Sequence, residues 1–135
     1  MKLIRHAESM NNEMYRKANH MFKGGTPHFD RDGWEDYINQ HRSSDPGISS
    51  RGLKQGEKLK DYLVPHLNNQ ASHPVRVITS PMRRTLETIL PTLKVLEKSN
   101  VNSEENKVEV IVNALYHESE GCHTRDKPGE NSFVL

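Results

Sequence analysis

The sequence contains little of the features that mark several large classes of protein. A single cysteine, Cys122, excludes an internal disulfide framework and suits a reducing compartment, so we expect a cytoplasmic protein. Nineteen Lys and Arg residues against eighteen Asp and Glu residues leave a net charge of +1, which provides no overall field to attract nucleic acid or an anionic membrane. No apolar run approaches the roughly 20 residues of a membrane helix, and the apolar run after Met1 is too short for a signal peptide. We therefore expect a soluble protein that partners neither nucleic acid nor membrane.

The length and composition predict one domain with a modest core. A chain of 135 residues is long enough to bury a core and too short for two domains of ordinary size, so residues 1–135 are taken as a single domain. Only 33% of the residues are hydrophobic and the mean hydropathy is −0.86, which predicts a largely polar surface.

Hydrophobic periodicity and turn residues predict strands that alternate with helices. In chain order the predicted elements are a strand at Lys2–Arg5, a helix from Ser9, a long loop from His20 to Pro46 holding a short helix at Trp34–Gln40, a helix capped by Ser49 and Ser50, a strand at Val75–Ser80, a helix that begins at Pro81 after an N-cap at Ser80, and a strand at Lys107–Leu115. The helix after Ser50 has an apolar stripe of Leu53, Gly56, Leu59, Leu63 and Leu67. Such alternation favours an α/β fold with a mainly parallel sheet, in which chemistry collects at the carboxyl ends of the strands.

Polar clusters follow the first two predicted strands. Arg5-His6-Ala7-Glu8-Ser9 follows the first, with Asn12 one helical turn later, and Thr79-Ser80-Pro81-Met82-Arg83-Arg84-Thr85 with Glu87-Thr88 follows the second. A histidine can attack phosphorus when one ring nitrogen is unprotonated, and arginine grips two phosphate oxygens at once. The N-terminus of the helix at Pro81 adds a dipole that favours an anion.

These clusters resemble the signatures of the histidine phosphatases, the superfamily that also contains the phosphoglycerate mutases. The first is similar to R-H-G-E-S followed by Asn, with Ala7 in place of Gly, and the second is similar to S-P-x-x-R-A-x-x-T. Between them, the segment from Asp45 to Gly56 is similar to the family's D-x-x-L-T-x-x-G-x-x-Q-A element.

The resemblance implies a three-layer α/β/α fold like that of phosphoglycerate mutase and a phosphatase mechanism. His6 would take up the phosphoryl group from a phosphomonoester, and water would later release phosphate. Arg5, Asn12 and Arg84 would hold the phosphate oxygens, Arg84 and not Arg83 being in the family's position. The substrate would be a phosphorylated small molecule or a phosphoprotein, and no metal or organic cofactor is required by this chemistry.

The proton donor to the leaving group is less well defined. The resemblance places it after the third strand, where Glu118 is one residue later than the family's spacing, and Glu120 and His117 are the alternatives. A zinc site formed by His117, Cys122 and His123 is disfavoured, because their spacing fits no common zinc motif.

No V-x-H-G element, which carries the family's second catalytic histidine, follows Glu118. We therefore expect a sheet that is incomplete on its C-terminal side and impaired activity for this length of chain. The alternative functions are a phosphate- or phosphoprotein-binding domain without turnover, and a phosphotransferase of the mutase type.

Overall fold

The computed structural model describes residues 2–23, 29–68, 75–99 and 108–116. These ranges contain helices α1 (Met10–Lys23), α2 (Arg31–His41), α3 (Ser50–Asn68) and α4 (Arg83–Ser99) and strands β1 (Val75–Thr79) and β2 (Val108–Val112). The strands are parallel, with Val75 opposite Val108 and Thr79 opposite Val112. Helices combined with a small parallel sheet agree with the predicted α/β class. None of the helices in the described ranges is both long and apolar enough to cross a membrane.

The predicted strand at Lys2–Arg5 is wrong. Residues 2–8 form neither helix nor strand, and the first sheet-like contact is an isolated antiparallel bridge between Ser9 and Ile48. A strand exists only through a neighbouring strand, and this segment pairs with neither β1 nor β2. Its apolar side chains are accordingly exposed, Leu3 at 89% and Ile4 at 46%.

Helices α1 and α2 together replace much of the predicted loop. Helix α1 continues to Lys23, and α2 is longer at both ends than the short helix predicted at Trp34–Gln40. Asp30 caps α2 by accepting a hydrogen bond from the Gly33 N–H at 3.0 Å. The aromatic residues of the predicted loop lie mostly on these helices and pack against a small buried cluster of Met14, Ala18 and Ile38.

Helices α3 and α4 pack against each other. The predicted stripe on α3 is partly wrong, because Leu53 is 57% exposed while Gly52, Gly56 and Leu63 are buried. At the start of α3, glycines rather than leucines face the neighbouring segments of the same chain, because the backbones there approach too closely for a side chain. A Cβ atom on Gly52 would lie 2.3 Å from the carbonyl oxygen of Glu8, and one on Gly56 would lie 3.3 Å from that of Thr88.

Helix α4 begins at Arg83, two residues later than predicted. The Ser80 hydroxyl does accept a hydrogen bond from the Met82 N–H, at 3.3 Å. The Arg83 N–H, however, donates to the carboxylate of Asp45 at 2.9 Å. A side chain from the loop before α3 therefore caps α4, which a local reading of Ser80-Pro81 could not reveal.

Candidate functional site

The imidazole of His6 is held by the backbone next to it. Its Nδ1 lies 2.6 Å from the carbonyl oxygen of Ala7, and the side chain is half-buried. A carbonyl oxygen can only accept, so Nδ1 must carry the proton of this hydrogen bond. In the neutral ring, Nε2 is then the nitrogen with the lone pair, which is the state a nucleophilic histidine needs.

Two side chains from different helices hold the backbone that follows His6. The Ala7 N–H donates to the Thr88 hydroxyl of α4 at 2.9 Å, in a buried position. The Glu8 N–H donates to Oε1 of Gln55 on α3 at 2.7 Å. The Thr88 hydroxyl in turn donates to the carbonyl oxygen of Arg84 at 2.6 Å. The segment after His6 is therefore fixed to α3 and α4 by side chains instead of by a sheet.

Glu8 ties the same segment to the start of α3. Its carboxylate accepts a hydrogen bond from the Ser49 hydroxyl at 2.8 Å and lies 3.4 Å from Nε of Arg16 and 3.7 Å from a guanidinium nitrogen of Arg51. Its carbonyl oxygen accepts from the Ser49 N–H at 2.8 Å. The Ser49 hydrogen bond is the main reason that the pKa of Glu8 is lowered, and the two arginines add to it against an opposing effect of burial.

Asn12 has one end of its side chain already engaged. Its Oδ1 accepts from the Ser9 N–H at 3.1 Å and from the Ser9 hydroxyl at 2.9 Å, while the Asn12 N–H donates to that hydroxyl at 3.2 Å. This reciprocal pair caps the N-terminus of α1. The side-chain NH₂ group of Asn12 has no partner among the described residues and the residue is exposed, and its donation to a phosphate stays a prediction.

The neighbouring arginines at the start of α4 have different environments. Nε of Arg83 lies 2.5 Å from the carboxylate of Glu87, which raises the pKa of Arg83. Arg84 is only 8% exposed, and no carboxylate in the described ranges pairs with it. Arg5, the other arginine predicted to bind phosphate, is exposed in the N-terminal segment. The buried arginine with no acidic partner is therefore the one that the family resemblance assigns to the phosphate.

A groove of about 540 Å³ is lined by residues 2–6, by the residues of β1 and by residues of α4. Arg5 and His6 line it together with Ser80 and Thr88, whereas Arg84 and Asn12 do not. The structure thus brings Arg5 and His6 to one groove, and places Arg84 one helical turn before the Thr88 that fixes the His6 segment.

Several predicted residues fall outside the described ranges. Glu118, Glu120 and His117 lie beyond Tyr116, as do Cys122 and His123, so the assignment of the proton donor stays a prediction. Within the described ranges, no group of three or more His, Cys, Asp or Glu side chains could hold a metal ion.

Sequence reasoning gave no role to Gln55, Thr88 or Glu8, and to Ser49 only that of a helix cap, although all four stand in the quoted motifs. For Thr88 the available signal was a polar residue among apolar neighbours, because the buried Thr88 falls between Leu86 and Ile89 on α4. Gln55 is exposed and gave no such signal.

Comparison with known proteins gives no match: no family model, curated protein or solved structure is similar to this chain at a significant level.

Proposed function

We propose that the chain is a histidine phosphatase domain that hydrolyses phosphomonoesters through a phosphohistidine on His6. The observation that carries the proposal is Arg84, a residue only 8% exposed that lacks an acidic partner in the described ranges and belongs to the helix that fixes the His6 segment. A phosphate dianion would supply the opposite charge and the paired acceptor oxygens that a guanidinium binds in a bidentate way.

The geometry at His6 suits a nucleophile. Nε2 attacks phosphorus, the ester P–O bond breaks, and the leaving alkoxide takes a proton from a carboxylic acid, for which Glu118 is the favoured candidate and Glu120 the alternative carboxyl group. The ring becomes cationic when Nε2 is phosphorylated, and the Nδ1–H bond to the carbonyl of Ala7 becomes charge-assisted at that moment. Water then attacks the phosphohistidine and gives a proton to the carboxylate left by the first step, the P–N bond breaks, and phosphate leaves with neutral His6 restored.

The proposed architecture is the three-layer α/β/α arrangement, of which the described sheet is one part. The groove between residues 2–6 and the edge of β1 supports this, since consecutive residues of both segments line it, as expected where a further strand would be inserted. The substrate class proposed is a phosphorylated small molecule or a phosphoprotein.

The nucleophile is tested by labelling. Protein incubated with a radiolabelled phosphodonor should gain label that is lost in acid, as a phosphohistidine is, and His6→Ala should gain none. Label that survives acid, or that persists in His6→Ala, would contradict the assignment.

The phosphate site is tested by comparing the adjacent arginines. Arg84→Ala should lower kcat/KM by about 100-fold, because a charge-assisted contact to the transferring group is lost. Arg83→Ala should have a much smaller effect, since Arg83 is paired with Glu87. Equal losses would refute the assignment. Arg84-dependent binding of phosphate without any labelling of His6 would instead identify the non-enzymatic binding domain.

A further inference from the structure

We propose that Gln55 and Thr88 are positioning residues that fix the proton tautomer and orientation of His6 through the backbone of Ala7. The inference rests on the proposed function for its catalytic consequence, but its structural content concerns the imidazole alone. Neither side chain is proposed to contact phosphate, so neither is assigned a catalytic role.

The peptide bond between Ala7 and Glu8 is held at both ends by hydrogen bonds to side chains. Its carbonyl oxygen, that of Ala7, accepts from Nδ1 of His6 at 2.6 Å, and its N–H, that of Glu8, donates to Oε1 of Gln55 at 2.7 Å. The peptide group is planar, with the C=O and N–H on opposite sides. Rotation of this plane would move both ends at once, so Gln55 holds in place the carbonyl that accepts the imidazole proton.

The peptide bond between His6 and Ala7 is held by Thr88. Its N–H donates to the Thr88 hydroxyl, which is 4% exposed as a residue and donates its own proton to the carbonyl of Arg84. With one bond accepted and one donated, the hydroxyl has a defined orientation. The peptide planes on both sides of the Ala7 Cα atom are therefore each held by one side chain.

Side chains are needed at these positions because residues 2–8 form no strand ladder, and no strand in the described ranges fixes these two peptide planes. An acceptor on the Glu8 N–H also polarises the peptide and strengthens the bond that its carbonyl accepts from His6. Loss of Gln55 or Thr88 should therefore let the plane rotate, and the Nδ1–H tautomer would no longer be favoured.

The test uses paired variants. Thr88→Val and Gln55→Leu remove the hydrogen-bonding groups while keeping similar volumes, and Thr88→Ser and Gln55→Glu keep an acceptor at each position. Thr92→Val is the matched control, because Thr92 lies one helical turn beyond Thr88 on α4 and its buried hydroxyl has no partner in the described ranges. Circular dichroism would confirm that each variant is folded.

The primary readout is the ¹⁵N NMR signature of the His6 ring, which distinguishes protonation at Nδ1 from protonation at Nε2. We expect the Nδ1–H tautomer in the wild-type protein, Thr88→Ser, Gln55→Glu and Thr92→Val, and a mixture of tautomers in Thr88→Val and Gln55→Leu. With a generic aryl phosphate, the two disrupting variants should show kcat lowered by about 10-fold with KM nearly unchanged, as for a misplaced reacting group.

The outcomes separate the two proposals. A shifted tautomer in the disrupting variants, with no turnover even in the wild-type protein, would support the positioning role and contradict the phosphatase. Turnover in the wild-type protein with an unchanged ring signature and unchanged kcat in both disrupting variants would overturn the positioning role. An equal shift in Thr92→Val would also overturn it, because the effect would then be a general response of α4.

Discussion

Replacing Gly52 by alanine tests how closely α3 approaches the segment that carries His6. The added Cβ atom would lie 2.3 Å from the carbonyl oxygen of Glu8 and 2.9 Å from Cβ of Ile48. Neither contact can relax by a side-chain rotation, since the first atom belongs to the backbone and the second is a Cβ atom, whose position the backbone fixes. The start of α3 must therefore move away, and the bond from the Ser49 N–H to the same Glu8 carbonyl, 2.8 Å long, must lengthen or break.

The expected magnitude follows from opposing effects. Alanine is favoured over glycine inside a helix by about 1 kcal/mol. Overpacking a close contact costs about 1–3 kcal/mol. A lost hydrogen bond adds about 1 kcal/mol. Steric cost and hydrogen-bond loss together exceed the gain in helix propensity, so we expect a net loss of about 2 kcal/mol in the free energy of unfolding.

Gly56→Ala is the matched control, one turn later in the same helix. Its Cβ atom would meet the carbonyl oxygen of Thr88 at 3.3 Å and Cγ of Pro91 at 3.7 Å, which a shift of a few tenths of an ångström can accommodate. Helix propensity then decides the sign, and we expect between no change and about 1 kcal/mol of stabilisation.

The measurement is equilibrium unfolding in urea for the wild-type protein and both variants, with the slopes compared to confirm that the unfolded states are alike. Equal stability changes for Gly52→Ala and Gly56→Ala would show that the Glu8 carbonyl is not the constraint. A stabilised Gly52→Ala variant would refute the close approach itself.

Three further predictions concern individual side chains. The pKa of Glu8 is lowered from its ordinary 4.5, chiefly by the Ser49 hydroxyl, so the stabilisation from ionised Glu8 is present above pH 4.5 and is lost as the pH falls through the pKa of the folded state. Between about pH 6 and about pH 3 the free energy of unfolding in urea should therefore fall less for Glu8→Gln than for the wild-type protein, and equal falls would contradict this. Thr92→Val should leave the melting temperature unchanged or raise it, because the buried hydroxyl has no partner in the described part of the chain, and a clear drop would reveal one. Arg76→Ala should cost less than about 1 kcal/mol in urea unfolding, because its 2.6 Å pair with Glu109 across the sheet is exposed, whereas a larger loss would indicate that the sheet depends on this pair.

The elements that the sequence could predict are those with local signals. Val75–Thr79 is a β-branched run bounded by turn residues, and α3 begins directly after a serine cap, so both were predictable within a residue or two. The strand predicted at Lys2–Arg5 fails for the opposite reason. Whether an apolar run becomes a strand depends on a partner distant in the chain, and the run itself contains no information about that partner.

The start of α4 and the stripe on α3 fail because of contacts from elsewhere in the chain. Ser80-Pro81 is a good local start for a helix, but the carboxylate of Asp45 caps Arg83 instead. Leu53 has the right spacing for an inward position, but the closeness of Glu8 leaves room only for Gly52. A pattern of apolar residues gives the helix and its approximate face, while the distance to the neighbouring backbone decides which residues are buried.

Site residues show the same division. His6 and Arg84 could be named as candidates from their motifs. The burial of Arg84 and its lack of an acidic partner among the described residues could not, since they depend on Glu87 pairing with Arg83 and not with Arg84. The supporting bonds from Gln55 and Thr88 join residues 47 and 81 positions apart in the chain, and no local spacing predicts them.

Packing and site geometry are coupled through the contact between α3 and α4. Gln55 and Thr88 act on adjacent peptide planes, so the distance between the two helices must match the distance between those planes. Gly56 sets this distance between the helices, because a Cβ atom added to Gly56 would lie only 3.3 Å from the carbonyl oxygen of Thr88. A larger residue at Gly56 would push Thr88 away from the Ala7 N–H while Gln55 remained in place. The orientation of His6 therefore depends on the glycines of α3 as well as on the hydrogen bonds, and a change in the helix interface that is mild for stability can still disturb the imidazole.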